Sequence, residues 1–305
     1  MSPSAPSFPD PGLPDGELAA VLARGAGEVL RGLRADVDAA GGAFVTGELK
    51  DAGDTASQAW LADALAHARP YDAVLSEEAA DPAARLTADR VWIIDPLDGT
   101  REFAERLAPA GPVGTGASTS PAAAAWRDDF AVHVALWKRG SDRPARLAAG
   151  AVGLPARSVV LGTTPTEGSS DVRPADPAAV LAGRRPLRLA ASRSRPPEFV
   201  RRLAARGGVE LVPMGSAGVK VLSVVDGTVD AYVHAGGQYE WDSAAPVAVA
   251  LAAGLECTRL DGTPLEYNRQ DPWLPDLFVC HPALAARLRA ALTEVGVDIK
   301  EGAQP

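Results

Sequence analysis

The stretch Val91–Phe103, VWIIDPLDGTREF, decides how the rest of the chain is read. An apolar run suited to a buried strand ends at Asp95, Pro96 fixes a turn, and Asp98 follows. Gly99 and Thr100 then open a helix or a tight turn. This spacing sets two carboxylates, and the Leu97 carbonyl between them, around one point. Oxygen-only donors of that kind suit Mg²⁺ or a similar hard cation. Backbone N–H groups at Gly99 and Thr100 can hold an anion such as phosphate against it. The pieces fit metal-assisted phosphoryl chemistry. The same letters also fit an Asx-capped turn, so the choice rests on acids elsewhere.

Those acids stand at the ends of neighbouring elements. Glu77 closes the short strand Ala73-Val74-Leu75-Ser76, and Asp242 follows Trp241 at the start of the helical run SAAPVAVALAAG. Asp54 opens a second helix expected over 54–68, where its bland role is the N-cap. Five carboxylates converging without cations would repel strongly, so their convergence itself implies bound metal. Glu78 leaves its strand on the face opposite Glu77 and reads as a surface residue or as one standing just behind the ligands. His67, His133, His234 and His281 lack metal-ligand spacing and read as structural. His234 is set apart, because HAGGQ immediately precedes the Glu240-Trp241-Asp242 segment.

Outward from this centre, residues 1–14 carry five prolines and three serines and are expected to be a disordered tail. Asp15 is placed to cap a long helix through about residue 38. Residues 107–125 read as a flexible insertion, followed by strands of an antiparallel sheet over 130–137, 147–152 and 158–161. These make an N-terminal α+β half over 15–185. From 186 to 305, strands alternate with helical runs, the pattern of an α/β half. Seven arginines crowd residues 184–202. Most read as solvated, with Arg193 and Arg195 the exceptions placed to meet a second phosphate.

The chain has 305 residues and a formal charge of −9, with 47% hydrophobic residues. That suffices for one large or two packed cores, and the acidic balance argues against a nucleic-acid polymer as partner. No window reaches the length of a membrane span. The first residues lack the features of a secretory signal. Cys257 and Cys280 sit in apolar runs and read as reduced core thiols, so a cytoplasmic location is expected.

The stretches AVLSEE (73–78), WIIDPLDGTREF (92–103) and EWDSAAPVAVALAAG (240–254) resemble the inositol monophosphatase superfamily of Mg²⁺-dependent, lithium-sensitive phosphatases. HAGGQYEWDSAAP (234–246) narrows the resemblance to its 3′-phosphoadenosine 5′-phosphate phosphatase branch in actinobacteria. The resemblance implies a layered αβαβα sandwich. It implies that Glu77, Asp95 and the Leu97 carbonyl hold one Mg²⁺, and Asp95, Asp98 and Asp242 a second, with a third, weakly held ion left open. Asp54, partnered by Thr100, would orient the attacking water. Asp98, Gly99, Thr100, Ser216, His234 and Asp242 would meet a small phosphate monoester. The segment Met214-Gly215-Ser216 with Lys220 resembles a nucleotide-contacting stretch. The sequence leaves open the substrate (nucleotide bisphosphate, inositol phosphate or fructose bisphosphate), a non-catalytic binding role, and a homodimer. A dehalogenase-type phosphatase requires D-x-D-G-T, one residue shorter than the D-x-x-D-G-T present here.

Overall fold

The computed structural model describes residues 6–107, 124–140, 146–165 and 172–297. Two five-stranded sheets and three layers of helix alternate. The first sheet contains β1 (Ala73–Ser76), β2 (Arg90–Asp98), β3 (Ala131–Lys138), β4 (Arg146–Leu154) and β5 (Val159–Gly162), in that order. β1 and β2 are parallel and the other pairs antiparallel. Helices α1 (Asp15–Ala39) and α2 (Thr46–Ala68) cover one face. The short α3 (Thr100–Phe103) follows β2 directly.

The second sheet runs β7-β6-β8-β10-β9. Its strands are β6 (Leu187–Ser192), β7 (Val209–Met214), β8 (Ala231–Tyr239), β9 (Glu256–Thr258) and β10 (Trp273–Cys280). α6 (Ala217–Val225) and α7 (Glu240–Ala252) lie between the sheets, while α5 (Glu198–Ala205) and α8 (Pro282–Glu294) cover the far face. A single turn of helix, α4 (Ala178–Leu181), precedes β6.

The side-chain alternation of β2 explains the layering. Val91 and Ile93 pack with α6 and α7 residues such as Val221 and Ala245, whereas Trp92 and Ile94 pack with Leu22 and Leu61 of α1 and α2. β10 repeats the scheme: Leu277 and Val279 face the middle layer, Phe278 and Cys280 the outer one. Strands buried on both faces read as unbroken apolar runs. This is the expected αβαβα sandwich.

Several boundaries differ from the sequence reading. Residues 6–14 do not behave as a disordered tail. Pro9 is buried, Leu13 packs on the first core, and the Pro6 carbonyl accepts a hydrogen bond from Trp60 Nε1 at 3.1 Å. Asp15 is not the N-cap of α1, a position held by Pro14. Its carboxylate instead binds Arg90, Arg69 and Lys138, which holds it well below the usual carboxylate range. α2 starts two turns before Asp54, so that residue lies mid-helix and caps nothing. β2 continues through Asp95 to Asp98. The insertion is described only at its ends, where Leu107 N donates to the Ala125 carbonyl at 2.8 Å. Residues 108–123 lie outside the described residues.

Candidate metal and phosphate site

The register of the first sheet assembles the site. In the parallel β1–β2 pair, Ser76 lies opposite Ile94, so Glu77 emerges beside Asp95. Asp95 faces His133 across the β2–β3 pair, but Asp98 faces Ala131. Three steps along β2 are matched by two along β3. This bulge gathers Asp95, the Leu97 carbonyl and Asp98 where a regular strand would alternate them. Asp242, in the first turn of α7, completes the cluster and accepts a hydrogen bond from Tyr239 N at 2.6 Å. Each of Asp95, Asp98 and Asp242 offers a carboxylate oxygen within 4.8 Å of the others.

The electrostatics are those of crowded acids. Burial first, then Glu77, Asp98 and Asp242, push the Asp95 carboxyl well above its ordinary value. Its Oδ1 accepts from Leu97 N at 3.0 Å, while its Oδ2 is buried with no hydrogen-bond partner. Burial and Asp98 raise Asp242 to about 6. Glu77 is exposed as a residue, yet desolvation of its carboxyl and the charge of Asp242 push it up to about 7. An orphaned carboxylate oxygen among oxygen-only donors fits a divalent cation.

Asp98 departs from this pattern. Burial works against its charge, but His133, Ser216 and Gly218 hold its carboxyl below the usual range. Ser216 Oγ donates to Asp98 Oδ2 while accepting from Val219 N as the cap of α6, and Gly218 N donates to the same Oδ2 at 2.7 Å. The sequence reading treats His133 as structural; the structure makes it part of the site. Its ring is fully buried, with Nδ1 3.0 Å from the Trp241 carbonyl and Nε2 3.2 Å from Asp98 Oδ2. Both nitrogens face oxygen acceptors, and Asp98 raises the imidazole pKa against the cost of burial. A Cβ on Gly218 would lie 2.1 Å from His133 Nε2, so only glycine admits the ring. The usable sequence signal was a lone histidine in an apolar strand; the register that aligns it with Asp95 was not visible.

Asp54 and Thr100 meet beside the bulge. Thr100 Oγ1 lies 3.4 Å from Asp54 Oδ1 and 3.2 Å from the Leu97 carbonyl. α2 approaches closely because Gly53 has no side chain: a Cβ there would lie 2.6 Å from Phe103 Cε1 and 2.9 Å from Leu97 Cδ2. Ser57, one turn on, donates to the Pro96 carbonyl at 2.7 Å. Burial first, then Glu78, raise Asp54 to about 6. Glu78, read as a surface residue, is exposed but acts on Asp54 electrostatically. Gly99, with φ of 90°, turns the chain into α3. Buried Arg34 secures that helix by donating to the Glu102 and Phe103 carbonyls.

α6 and the second sheet supply the remaining wall. Lys220 is buried, with its ammonium 5.3 Å from the Tyr232 ring. Burial lowers its pKa against the pull of Asp98, Glu102 and Asp242. His234 is half-buried, with Nε2 2.9 Å from the Gly237 carbonyl, and burial lowers its pKa. Arg193 does not stand free for a phosphate: it pairs with Asp129 and lies 3.6 Å from Glu102. Arg195 is exposed. Arg185 and Arg188 both hold Asp230.

Among the described residues, no helix is long and apolar enough to cross a membrane. The chain matches the description "Inositol monophosphatase family" over residues 17–296. It is 46% identical over 269 residues to the 3′-phosphoadenosine 5′-phosphate phosphatase of Mycobacterium tuberculosis, covering 88% of this chain and 90% of that protein. The Mycobacterium leprae protein of the same name is 44% identical over 291 residues, covering 93% and 95%. Among solved structures, the inositol monophosphatase of Anabaena aligns with a TM-score of 0.66 at 20% identity, covering 92% of this chain and 95% of that one. At that identity the likeness concerns the fold.

Proposed function

The chain belongs to the inositol monophosphatase family, and from that premise we propose that it is a Mg²⁺-dependent phosphatase. Its substrate is the 3′-phosphate of 3′-phosphoadenosine 5′-phosphate, and its products are AMP and phosphate. The observation carrying this reading is the 46% identity to a protein of that name, spread over 88% of the chain. The acid cluster supports it chemically.

Glu77, Asp95 and the Leu97 carbonyl would hold one Mg²⁺, and Asp95, Asp98 and Asp242 a second. Bound there, Mg²⁺ would neutralise the phosphoryl oxygens and acidify water. Asp54, ionised above about pH 6, accepts the proton of the attacking water at Oδ1. Thr100 Oγ1, shared between Asp54 and the Leu97 carbonyl, orients that water. Backbone N–H groups of Gly99 and Thr100 meet the phosphoryl oxygens. Ser216 and His133 hold Asp98 in its ionised form. Lys220 of α6 and His234 of β8 border the substrate. The P–O3′ bond breaks, and the 3′-oxygen leaves with a proton from solvent. The buried free thiols Cys257 and Cys280 support a cytoplasmic location.

The test compares kcat/KM for 3′-phosphoadenosine 5′-phosphate, inositol 1-phosphate and fructose 1,6-bisphosphate under identical Mg²⁺. The nucleotide is expected to lead by at least about tenfold, equivalent to about 1.4 kcal/mol in transition-state binding. Equal rates, or a lead for either sugar phosphate, refute the substrate assignment.

A further inference from the structure

The loop that follows Glu77 has no apolar anchor. Residues 77–84, EEAADPAA, are all exposed, and then Arg85 is fully buried. Its guanidinium forks onto Asp81 through Nε and Nη2, and Nη1 donates to Asn268 Oδ1 at 2.8 Å. Asn268 Nδ2 returns a bond to the Arg85 carbonyl at 3.2 Å. Asn268 belongs to an irregular segment between β9 and β10, and is held at φ of 60°. Glu240, also fully buried, closes the set: its two oxygens accept from Asn268 N at 2.6 Å and Arg269 N at 2.8 Å.

These contacts join segments far apart in sequence, and two of those segments carry a metal-site acid. Arg85 ends the loop that begins at Glu77, and Glu240 lies two residues before Asp242. Glu77 and Asp242 repel one another. We propose that Arg85, Asn268 and Glu240 are positioning residues, a buried clamp fixing the separation of Glu77 and Asp242 for cation binding. Stability alone does not explain the clamp, since buried ion networks are commonly no more stabilising than apolar packing of similar volume. What a fork, an amide and a carboxylate supply together is a defined distance between the exposed 77–84 loop and the first turn of α7. This inference rests on the metal-site reading above.

The test titrates Mg²⁺ against substrate-free protein by melting temperature and calorimetry. Asn268→Gly tolerates the positive φ and keeps the backbone N–H to Glu240, while removing both side-chain bonds to Arg85. Its Mg²⁺ half-saturation is expected to rise about tenfold, the lower end for residues supporting metal ligands. Asp81→Asn weakens the fork from its solvent side and is expected to shift binding less, in the same direction. Thr263→Ala, in an exposed turn of the same segment, is expected to leave Mg²⁺ binding unchanged. A variant that melts earlier in chelator yet binds Mg²⁺ as wild type does overturns the clamp. A wild-type chain that binds no Mg²⁺ overturns the metal-site reading beneath it.

Discussion

Replacing Asp242 with asparagine is expected to stabilise the metal-free protein at pH 8 and destroy its response to Mg²⁺. The folded-state carboxyl sits at about 6 against an ordinary value of 3.8, because burial and Asp98 disfavour its charge. Its contribution to stability is therefore full below about pH 4 and is lost as pH rises through 6. A shift of about 2 units corresponds to about 3 kcal/mol at most. Partial exposure to solvent screens this to roughly 1–2 kcal/mol. The amide oxygen of the Asp242→Asn variant can still accept from Tyr239 N, so the first turn of α7 keeps its bond. For a chain of this size such a gain raises the melting temperature by a few degrees. The assay is thermal unfolding of both proteins in chelator at pH 4.5 and 8, then with millimolar Mg²⁺ at pH 8. The variant should melt higher than wild type at pH 8, lead by a clearly smaller margin at pH 4.5, and fail to gain from Mg²⁺. A variant less stable than wild type in chelator at pH 8 would show that crowding of the acids is not what the metal-free site stores.

Two further substitutions probe the reaction side of the bulge. Asp54→Asn and Thr100→Val should each lower kcat far more than they raise KM, and the double variant should cost little beyond the worse single one, because both misplace the same water. Steady-state kinetics on all three checks this, and full additivity of the two losses refutes it. Gly53→Ala forces a methyl into Phe103 and Leu97, so it should cost about 1–3 kcal/mol of stability and displace Asp54 as well. Denaturant unfolding together with kcat measures both effects; an unperturbed kcat would mean that the close approach of α2 does not set the position of Asp54.

The layers were legible because β2 and β10 are apolar on both faces and the helices around them are strongly patterned. Glu77 and Asp95 were legible because each stands where an apolar run stops, and Asp242 because it stands where a helical run begins. What escaped the sequence was geometry spanning distant residues. No local signal shows that three steps along β2 match two along β3, yet this gathers the Asp95–Asp98 oxygens. His133 looked structural because its partners, Trp241 and Asp98, lie on other elements. Arg193 looked available because Asp129, which holds it, is 64 residues away. Asp54 looked like a helix start because Gly53 mimics a break. The helix runs through it, and the missing side chain serves the contact with Phe103 instead. Prolines and serines suggested a tail at residues 6–14, but Pro9, Leu13 and the Pro6 carbonyl are held against the fold, the last by Trp60 of α2.

The neck of the insertion has a consequence for how this scaffold can be rebuilt. Leu107 N bonds the Ala125 carbonyl, Arg127 N bonds the Glu105 carbonyl, and Arg106 lies 3.8 Å from the centre of the Trp126 ring. The chain therefore leaves and re-enters the fold through one fastened gap. Doubling the excursion adds only about 0.6 kcal/mol of closure entropy. Lineages can thus lengthen, shorten or exchange it with little thermodynamic resistance, and an engineer can splice a reporter or recognition peptide there while β2 and β3 keep their register.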